Sequence, residues 1–135
     1  LSHGILGPTR VLESSLLYPD GDDGEAAESH VSARLDLDGA AVWVSGGSGG
    51  TGPDIIEFTL WGSRESFKLT DWYTAWRSDG GRWRRDLEDI ADPRAEGRVG
   101  QAAAIADWFH GRASPLPDFA MAYGVQEVIE GILAA

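Results

Sequence analysis

Apolar and polar residues alternate along most of the first two thirds of the chain, and this pattern predicts β-strands. The clearest case is residues 29–37, where one strand face carries the apolar side chains Val31, Ala33, Leu35 and Leu37. Asp38-Gly39 follows, a dipeptide typical of a type I′ hairpin turn, and residues 40–45 return as the partner strand. Similar alternation predicts further strands over residues 9–17, 54–60, 64–69, 72–77 and 82–86.

Helical spacing replaces the alternation after a polar stretch at residues 88–94. It predicts one helix over residues 96–111, ended by Gly111, and a second over residues 117–134, started by Pro117 and Asp118. The apolar stripe of the second helix consists of Met121, Val125, Val128, Ile129 and Ile132, and we expect it to be buried on the sheet. Strands over residues 9–86 followed by two helices predict an α+β fold, an open and largely antiparallel sheet with the helices packed on one face.

Length and charge narrow the kinds of protein that this chain can be. Its 135 residues suit one domain, so we expect residues 1–135 to form a single α+β unit. A net charge of −11 disfavours nucleic acid or an anionic membrane as the main partner. No apolar run is long enough to span a bilayer, and the chain has no cysteine, which is compatible with the cytoplasmic location that we expect.

A glycine fingerprint, G-x-G-x-x-G, occurs at Gly47, Gly49 and Gly52. Such a fingerprint holds a dinucleotide when a helix follows it, because the amides at the helix N-terminus bind the pyrophosphate. Here Pro53 and a strand pattern follow instead. We therefore interpret this segment as a mobile connection between strands and expect no cofactor-binding residue in the chain.

The sequence contains few candidates for catalytic or metal-binding residues. His3, His30 and His110 have no metal-ligand spacing, and no serine has the context of a nucleophile elbow. An acidic stretch at residues 19–24 lacks the spacing of a calcium loop and is interpreted as a hairpin tip. The basic cluster at residues 82–85 suits either an anion or phosphosugar contact or a charged edge strand, and we favour the edge strand.

The closing part of the sequence resembles the C-terminal domain of the glucose–fructose oxidoreductase/inositol dehydrogenase (Gfo/Idh/MocA) family. The resemblance lies in residues 108–112, 115–119 and 125–130, which read WFHGR, PLPDF and VQEVIE. Residues 60–66, LWGSRES, resemble the family's strand–glycine–strand hairpin, although Glu65 stands where its second glycine is usual. Members of this family have an N-terminal Rossmann domain, which binds NAD(P), and a C-terminal α+β domain. The resemblance covers only the C-terminal domain.

The resemblance implies a non-catalytic role for this chain within a larger enzyme. The parent would be an NAD(P)-dependent oxidoreductase acting on a sugar, polyol or related hydroxy compound, with NAD or NADP bound by the missing Rossmann domain. Leu1, Ile5 and Leu6 resemble the last turn of a helix stopped by Gly7-Pro8, so residues 1–8 are expected to be the tail of a truncated helix. The family's catalytic histidine would fall before residue 1, and His3 is too close to Gly7-Pro8 to replace it. The alternative is a stand-alone α+β ligand-binding or dimerisation module.

One sheet face is unusually apolar for a surface in contact with water. If the predicted strands at 29–37, 40–45 and 54–60 lie side by side, the face opposite the core carries Arg34, Trp43, Ile55, Glu57 and Trp61. Aromatic residues mixed with arginine are typical of protein interfaces, and the resemblance implies pairing through this open sheet face. We therefore expect a homodimer packed sheet against sheet, with Trp43 and Trp61 near its centre. A shift of strand register by one residue would instead turn these side chains inward.

Overall fold

The computed structural model describes residues 7–20 and 26–134, and within them the α+β class and the antiparallel strand pairing are confirmed. The strands are β1 (Arg10–Leu17), β2 (His30–Leu37), β3 (Ala40–Gly47), β4 (Glu57–Leu60), β5 (Ser66–Thr70), β6 (Thr74–Ser78) and β7 (Arg84–Arg85). The helices are α1 (Pro93–Phe109) and α2 (Phe119–Leu133). The expected helix tail at residues 1–6 and most of the acidic hairpin tip lie outside the described residues.

The described strands form two sheets, where the alternation alone suggested one. The first sheet has the order β1-β2-β3 and the second the order β4-β5-β6-β7. The chain accordingly divides into two compact units, the first formed by residues 1–51 and 117–135 and the second by residues 52–116. β3 and β4 are consecutive strands but do not pair, because the glycine-rich segment between them carries the chain from one unit to the next.

The core of the first unit lies on one face of its central strand, β2. Ala33, Leu35 and Leu37 are almost completely buried there. Five partly buried side chains pack against them: Val11, Val42, Val44, Val128 and Ile132. The buried face of β2 is therefore the one that its alternation predicts. Positive φ angles at Asp38 (50°) and Gly39 (88°) confirm the type I′ turn that leads into β3.

Helix α2 begins at an N-cap, Asp118, whose carboxylate accepts a hydrogen bond from the backbone N–H of Met121 (2.8 Å). The helix lies close to β1, since the Ser14 hydroxyl donates to the carbonyl of Ile132 (2.7 Å). A Cβ atom at Gly131 would come within 3.1 Å of Val11 Cγ2, so glycine permits this close approach.

The predicted apolar stripe of α2 is only partly buried. Val128 and Ile132 pack against the core, whereas Met121, Val125 and Ile129 are exposed. Ile129 directly follows Val128 and therefore lies about 100° around the helix from it, off the line that faces the sheet. Met121 and Val125 precede Val128 by about two turns and one turn, towards the helix end farther from the contacts with β1. The expectation that the whole stripe is buried is therefore wrong for these three positions.

The second unit departs from the sequence expectations at two boundaries. Asp71 and Trp72 have positive φ angles of 51° and 66° and form the turn between β5 and β6, so Trp72 does not belong to the strand predicted at residues 72–77. Helix α1 begins at Pro93, earlier than the predicted residue 96. The Asp92 carboxylate caps it by accepting from the N–H groups of Arg94 and Ala95, both at 3.0 Å.

We expect Val128→Asp to destabilise the first unit, because it places a carboxylate against the apolar face of β2. The cost should be about 2–3 kcal/mol, which lowers the melting temperature by at least roughly 8 °C. Thermal melts followed by circular dichroism measure this change. Ile129→Asp is the matched control, since Ile129 lies on the same helix but is 42% exposed, and it should melt close to the wild type. Equal melting of both variants and the wild type would show that α2 does not cover the core.

Candidate functional site

A row of three side chains crosses the outer face of the first sheet, opposite the core. Arg34 lies at its centre on β2 and donates from Nε to Glu13 Oε1 on β1 (2.9 Å). On the other side Trp43 of β3 is its direct cross-strand partner, and the guanidinium carbon lies 5.9 Å from the indole centroid. Trp43 is nevertheless 72% exposed. The Glu13–Arg34–Trp43 row thus presents a large aromatic surface beside a charge that is held in place.

A β-bulge places Glu13 in this row. The register of β1 against β2 shifts between Val11 and Glu13, so that Val11 faces Leu35 while Glu13 faces Arg34. The extra residue, Leu12, is exposed. Without the bulge the alternation of β1 would put Glu13 on the same face as Val11, because side chains two residues apart share a face.

A second aromatic surface lies on the four-stranded sheet, and we call Trp61, Trp76, Trp83 and Lys68 the tryptophan cluster. Trp61 and Trp83 meet edge to face, with ring centroids 5.6 Å apart and an interplanar angle of 64°. The Lys68 ammonium lies 5.0 Å from the centroid of Trp83 and 5.9 Å from that of Trp76. A half-buried lysine therefore has two indole rings around its charge.

The strand register explains how this cluster assembles. Thr59 of β4 faces Lys68 of β5, and Lys68 in turn faces Trp76 of β6, so these three side chains form one cross-strand row. Glu57, two residues before Thr59 and on the same face, places Oε2 3.8 Å from Lys68 Nζ. Its other oxygen accepts a hydrogen bond from the Thr59 hydroxyl (3.0 Å).

Trp76 is fixed by a polar contact as well as by the lysine. Its indole Nε1 donates to the Thr70 hydroxyl of β5 (3.0 Å). A partly buried indole N–H needs such an acceptor, because leaving it without one would cost free energy. The Trp76 ring is therefore held in a defined position.

The five residues predicted as an interface do not fall on one sheet. Arg34 and Trp43 face each other on the first sheet, whereas Glu57 and Trp61 belong to the second unit, as does the exposed Ile55 before β4. The expected continuous face required β3 and β4 to be neighbours, and they are not paired. Each of the two units thus carries one of the two predicted tryptophans, Trp43 on the first and Trp61 on the second.

An open cleft of about 730 Å³ lies at one end of the second sheet. Its lining comes from the β4–β5 connection, from the start of β5 and from the turn after β6: Gly62, Ser63, Arg64, Glu65, Phe67 and Asp79. At its edge the Asp79 carboxylate accepts from Arg84 (2.7 Å), and this hydrogen bond, followed by smaller backbone and charge effects, lowers the pKa of Asp79 below its ordinary value of 3.8. The lowered pKa keeps Asp79 deprotonated at neutral pH, so this carboxyl has no proton to donate as a general acid there.

The remaining candidates from the sequence occupy ordinary structural positions. Arg84 and Arg85 form the short edge strand β7, which agrees with the favoured interpretation of the basic cluster. His30 starts β2 and His110 caps α1, while His3 lies outside the described residues. Within residues 7–20 and 26–134, no three histidine, cysteine or acidic side chains are grouped closely enough to hold a metal ion.

Sequence reasoning missed Lys68, Trp76 and Trp83 as members of a site. Alternation placed Trp76 on a strand, but only the pairing of β5 with β6 brings it opposite Lys68. Trp83 lies within the basic cluster at residues 82–85, so the sequence pattern groups it with arginines rather than with the other tryptophans. The available signal was the number of tryptophans, six in 135 residues, three of which converge here.

Comparison with known proteins gives no match to this chain. The sequence matches no protein-family model and no curated protein, and the structure matches no solved structure. In the part of the chain that the structure describes, neither helix is long and apolar enough to cross a membrane. The features of the described residues that bear on function are the two aromatic surfaces and the cleft.

Arg84→Gln is expected to raise the pKa of Asp79 toward 3.8, because the hydrogen bond to Arg84 is the largest cause of the lowering. A carbon-13 NMR titration of the Asp79 side chain measures this shift. Since the pKa is lowered in the folded chain, the stabilising effect of the pair exists above pH 3.8 and is lost as the pH falls through the lowered pKa. Arg82→Gln is the control and should leave the titration unchanged. Identical Asp79 titrations in the wild type and in Arg84→Gln would contradict the assignment.

Proposed function

We propose that this chain is a non-catalytic binding and oligomerisation domain of an NAD(P)-dependent oxidoreductase of the Gfo/Idh/MocA type. The observation that carries the binding role is the pair of aromatic surfaces. Trp43 is 72% exposed beside the ion-paired Arg34, and Trp61 is 78% exposed against the ring of Trp83. Exposing large indole rings costs free energy in a protein that binds nothing there. The link to this enzyme family rests on the resemblance of residues 108–130 and on the α+β class.

The parent enzyme would divide its tasks between two domains. A Rossmann domain, absent from this chain, would bind NAD or NADP and contribute the catalytic lysine. The present domain would bind a sugar, polyol or related hydroxy compound and bring two subunits together. The absence of cysteine is compatible with a cytoplasmic enzyme.

The Glu13–Arg34–Trp43 row is the part of the surface best suited to a homodimer contact. Tryptophan and arginine are the residues most enriched at the energetic centres of interfaces. A two-fold axis through the outer face of the first sheet would bring the same row from both copies together. The ion pair with Glu13 keeps Arg34 from being buried without a partner in such a contact.

Sedimentation of the chain and of single variants tests this role. The wild type should be a dimer, and Trp43→Glu should be a folded monomer, because it would place two carboxylates at the centre of the interface. Trp61→Glu is the matched control, since Trp61 is equally exposed but lies on the other sheet, and it should remain dimeric.

Two outcomes would contradict the proposed interface. One is a monomeric wild type at all accessible concentrations. The other is a Trp43→Glu variant that keeps its circular dichroism spectrum and still sediments as a dimer. If Trp61→Glu dissociates the dimer and Trp43→Glu does not, the interface would lie on the second unit instead.

A further inference from the structure

The outer edge of β3 is a long strand edge with no described strand beyond it. β3 has eight residues, Ala40–Gly47, and lies at the edge of the order β1-β2-β3. Neither a charged residue nor a proline occurs between Asp38 and Pro53, although 24% of the whole chain is charged. We propose that this edge binds an extended basic segment of another protein, in which lysine or arginine alternates with apolar residues, as an additional strand of the first sheet. The inference goes beyond the proposed function, because it uses the edge of the sheet and not its outer face.

The other sheet edges among the described residues carry features that discourage such pairing. β1 has a bulge at Leu12 and the charged residues Arg10 and Glu13. In the second sheet, β4 has only four residues and begins with Glu57, and β7 consists of two arginines. Charges, bulges and short length all disfavour the addition of a strand. β3 lacks all three features, so it is the described edge best suited to accept one.

The pairing of β3 with β2 identifies the backbone groups that an added strand would bind. The Ser48 N–H donates to the Ser29 carbonyl (2.9 Å), one step beyond the last residue pair of the two strands. In an antiparallel ladder, hydrogen-bonded pairs alternate with pairs that are not hydrogen-bonded. The N–H and C=O groups of Ala41, Trp43 and Ser45 therefore point to the open edge, and all three residues are exposed. An extended peptide can pair with these groups by β-augmentation.

The core face of β3 determines one half of the side chains that the added strand should carry. Val42 and Val44 pack against the core on this face but are only partly buried. Helix α2 lies against β1, at the opposite edge of the same sheet. Apolar side chains placed next to Val42 and Val44 would extend the core beyond β3 and remove further apolar surface from water.

The charges of the first unit favour basic residues on the other face of the added strand. This unit contains two arginines, no lysine and eleven acidic residues. Asp36 is the cross-strand partner of Ala41, and Asp38 lies in the turn before β3. The exposed Trp43 ring lies beside Arg34, and a cation directly across from Trp43 on the added strand would be close enough to contact the same ring. A basic segment is therefore attracted to this edge, and an acidic one is repelled.

A synthetic peptide tests the site on the complete 135-residue chain. The peptide has eight residues, the length of β3, with lysine and valine in alternation and a fluorescent label. We expect fluorescence anisotropy to give a dissociation constant on the order of 100 µM, which should rise with salt concentration because salt screens the attraction. The control peptide has the same composition with its lysines and valines in two separate blocks. It should bind about tenfold more weakly or worse, because it cannot place its apolar side chains on one face.

A substitution and its matched control locate the binding edge. Ser45→Pro removes an edge N–H without breaking a hydrogen bond to β2, and proline is tolerated at such a position. It should weaken peptide binding about tenfold or more, whereas Ser45→Ala keeps the N–H and should bind like the wild type. Circular dichroism shows whether both variants fold.

Amide hydrogen exchange locates the site without any substitution. In the free chain, the amides of Val42 and Val44 should be protected by their bonds to β2, whereas those of Ala41, Trp43 and Ser45 should exchange fast. Addition of the alternating peptide should slow the exchange of these three edge amides.

Several results would overturn the inference. These are no saturable binding of the alternating peptide, equal binding of the block peptide, unchanged exchange at the edge amides, or equal binding by a folded Ser45→Pro variant. A wild-type dimer that Ser45→Pro dissociates would instead assign the edge to a second copy of this chain. A dimer that persists in Ser45→Pro while the peptide fails to bind the wild type would refute this site and leave the proposed oligomerisation role intact.

Discussion

The burial of one face of β2 is the interaction on which the first unit depends. Ala33, Leu35 and Leu37 supply its fully buried apolar side chains, and α2 covers them with Val128 and Ile132. The same alternation that buries these residues turns Arg34 to the opposite face, where it meets Trp43. The register of β2 therefore sets both the core and the Glu13–Arg34–Trp43 row. A shift of this register by one residue would disrupt both.

The second unit is organised more by specific contacts than by deep burial. Of its described residues only Ser78 and Ala104 are buried, with 6% and 7% of their surface exposed. Its sheet carries instead a lysine between two indole rings, an indole bonded to a threonine hydroxyl and an edge-to-face ring pair. Such contacts contribute about 0.5–2 kcal/mol each. They also fix side-chain positions on a surface, which a binding site requires and a solvated face does not.

Local features of the fold could be predicted from the sequence because their causes are local. The period-two pattern of residues 29–37 identified the buried face of β2, and Asp38-Gly39 identified its turn. The early start of α1 also has a local cause, since Asp92 is an N-cap and Pro93 a first-turn proline, although the polar composition around them is typical of a loop.

The division into two sheets and the composition of the tryptophan cluster could not be predicted in the same way. Alternation shows which residues share a strand face, but it contains no information on which strand is the neighbour. Whether β3 pairs with β4 depends on long-range packing, and the bulge at Leu12 depends on fitting β1 to β2. The grouping of Lys68 with Trp76 and Trp83 follows from such pairings, so it became visible only in the folded chain.

The central claim is that this domain binds and assembles while a dinucleotide is held elsewhere in the same protein. Calorimetric titration of NADH and NADPH tests it directly when two proteins are compared, the 135-residue chain and the product of the complete gene, including any coding sequence upstream of residue 1. The account predicts no binding to the chain alone and micromolar binding to the complete product through an upstream segment with the βαβ pattern of a Rossmann domain. Binding by the chain alone, or a complete product that binds neither dinucleotide, would contradict it.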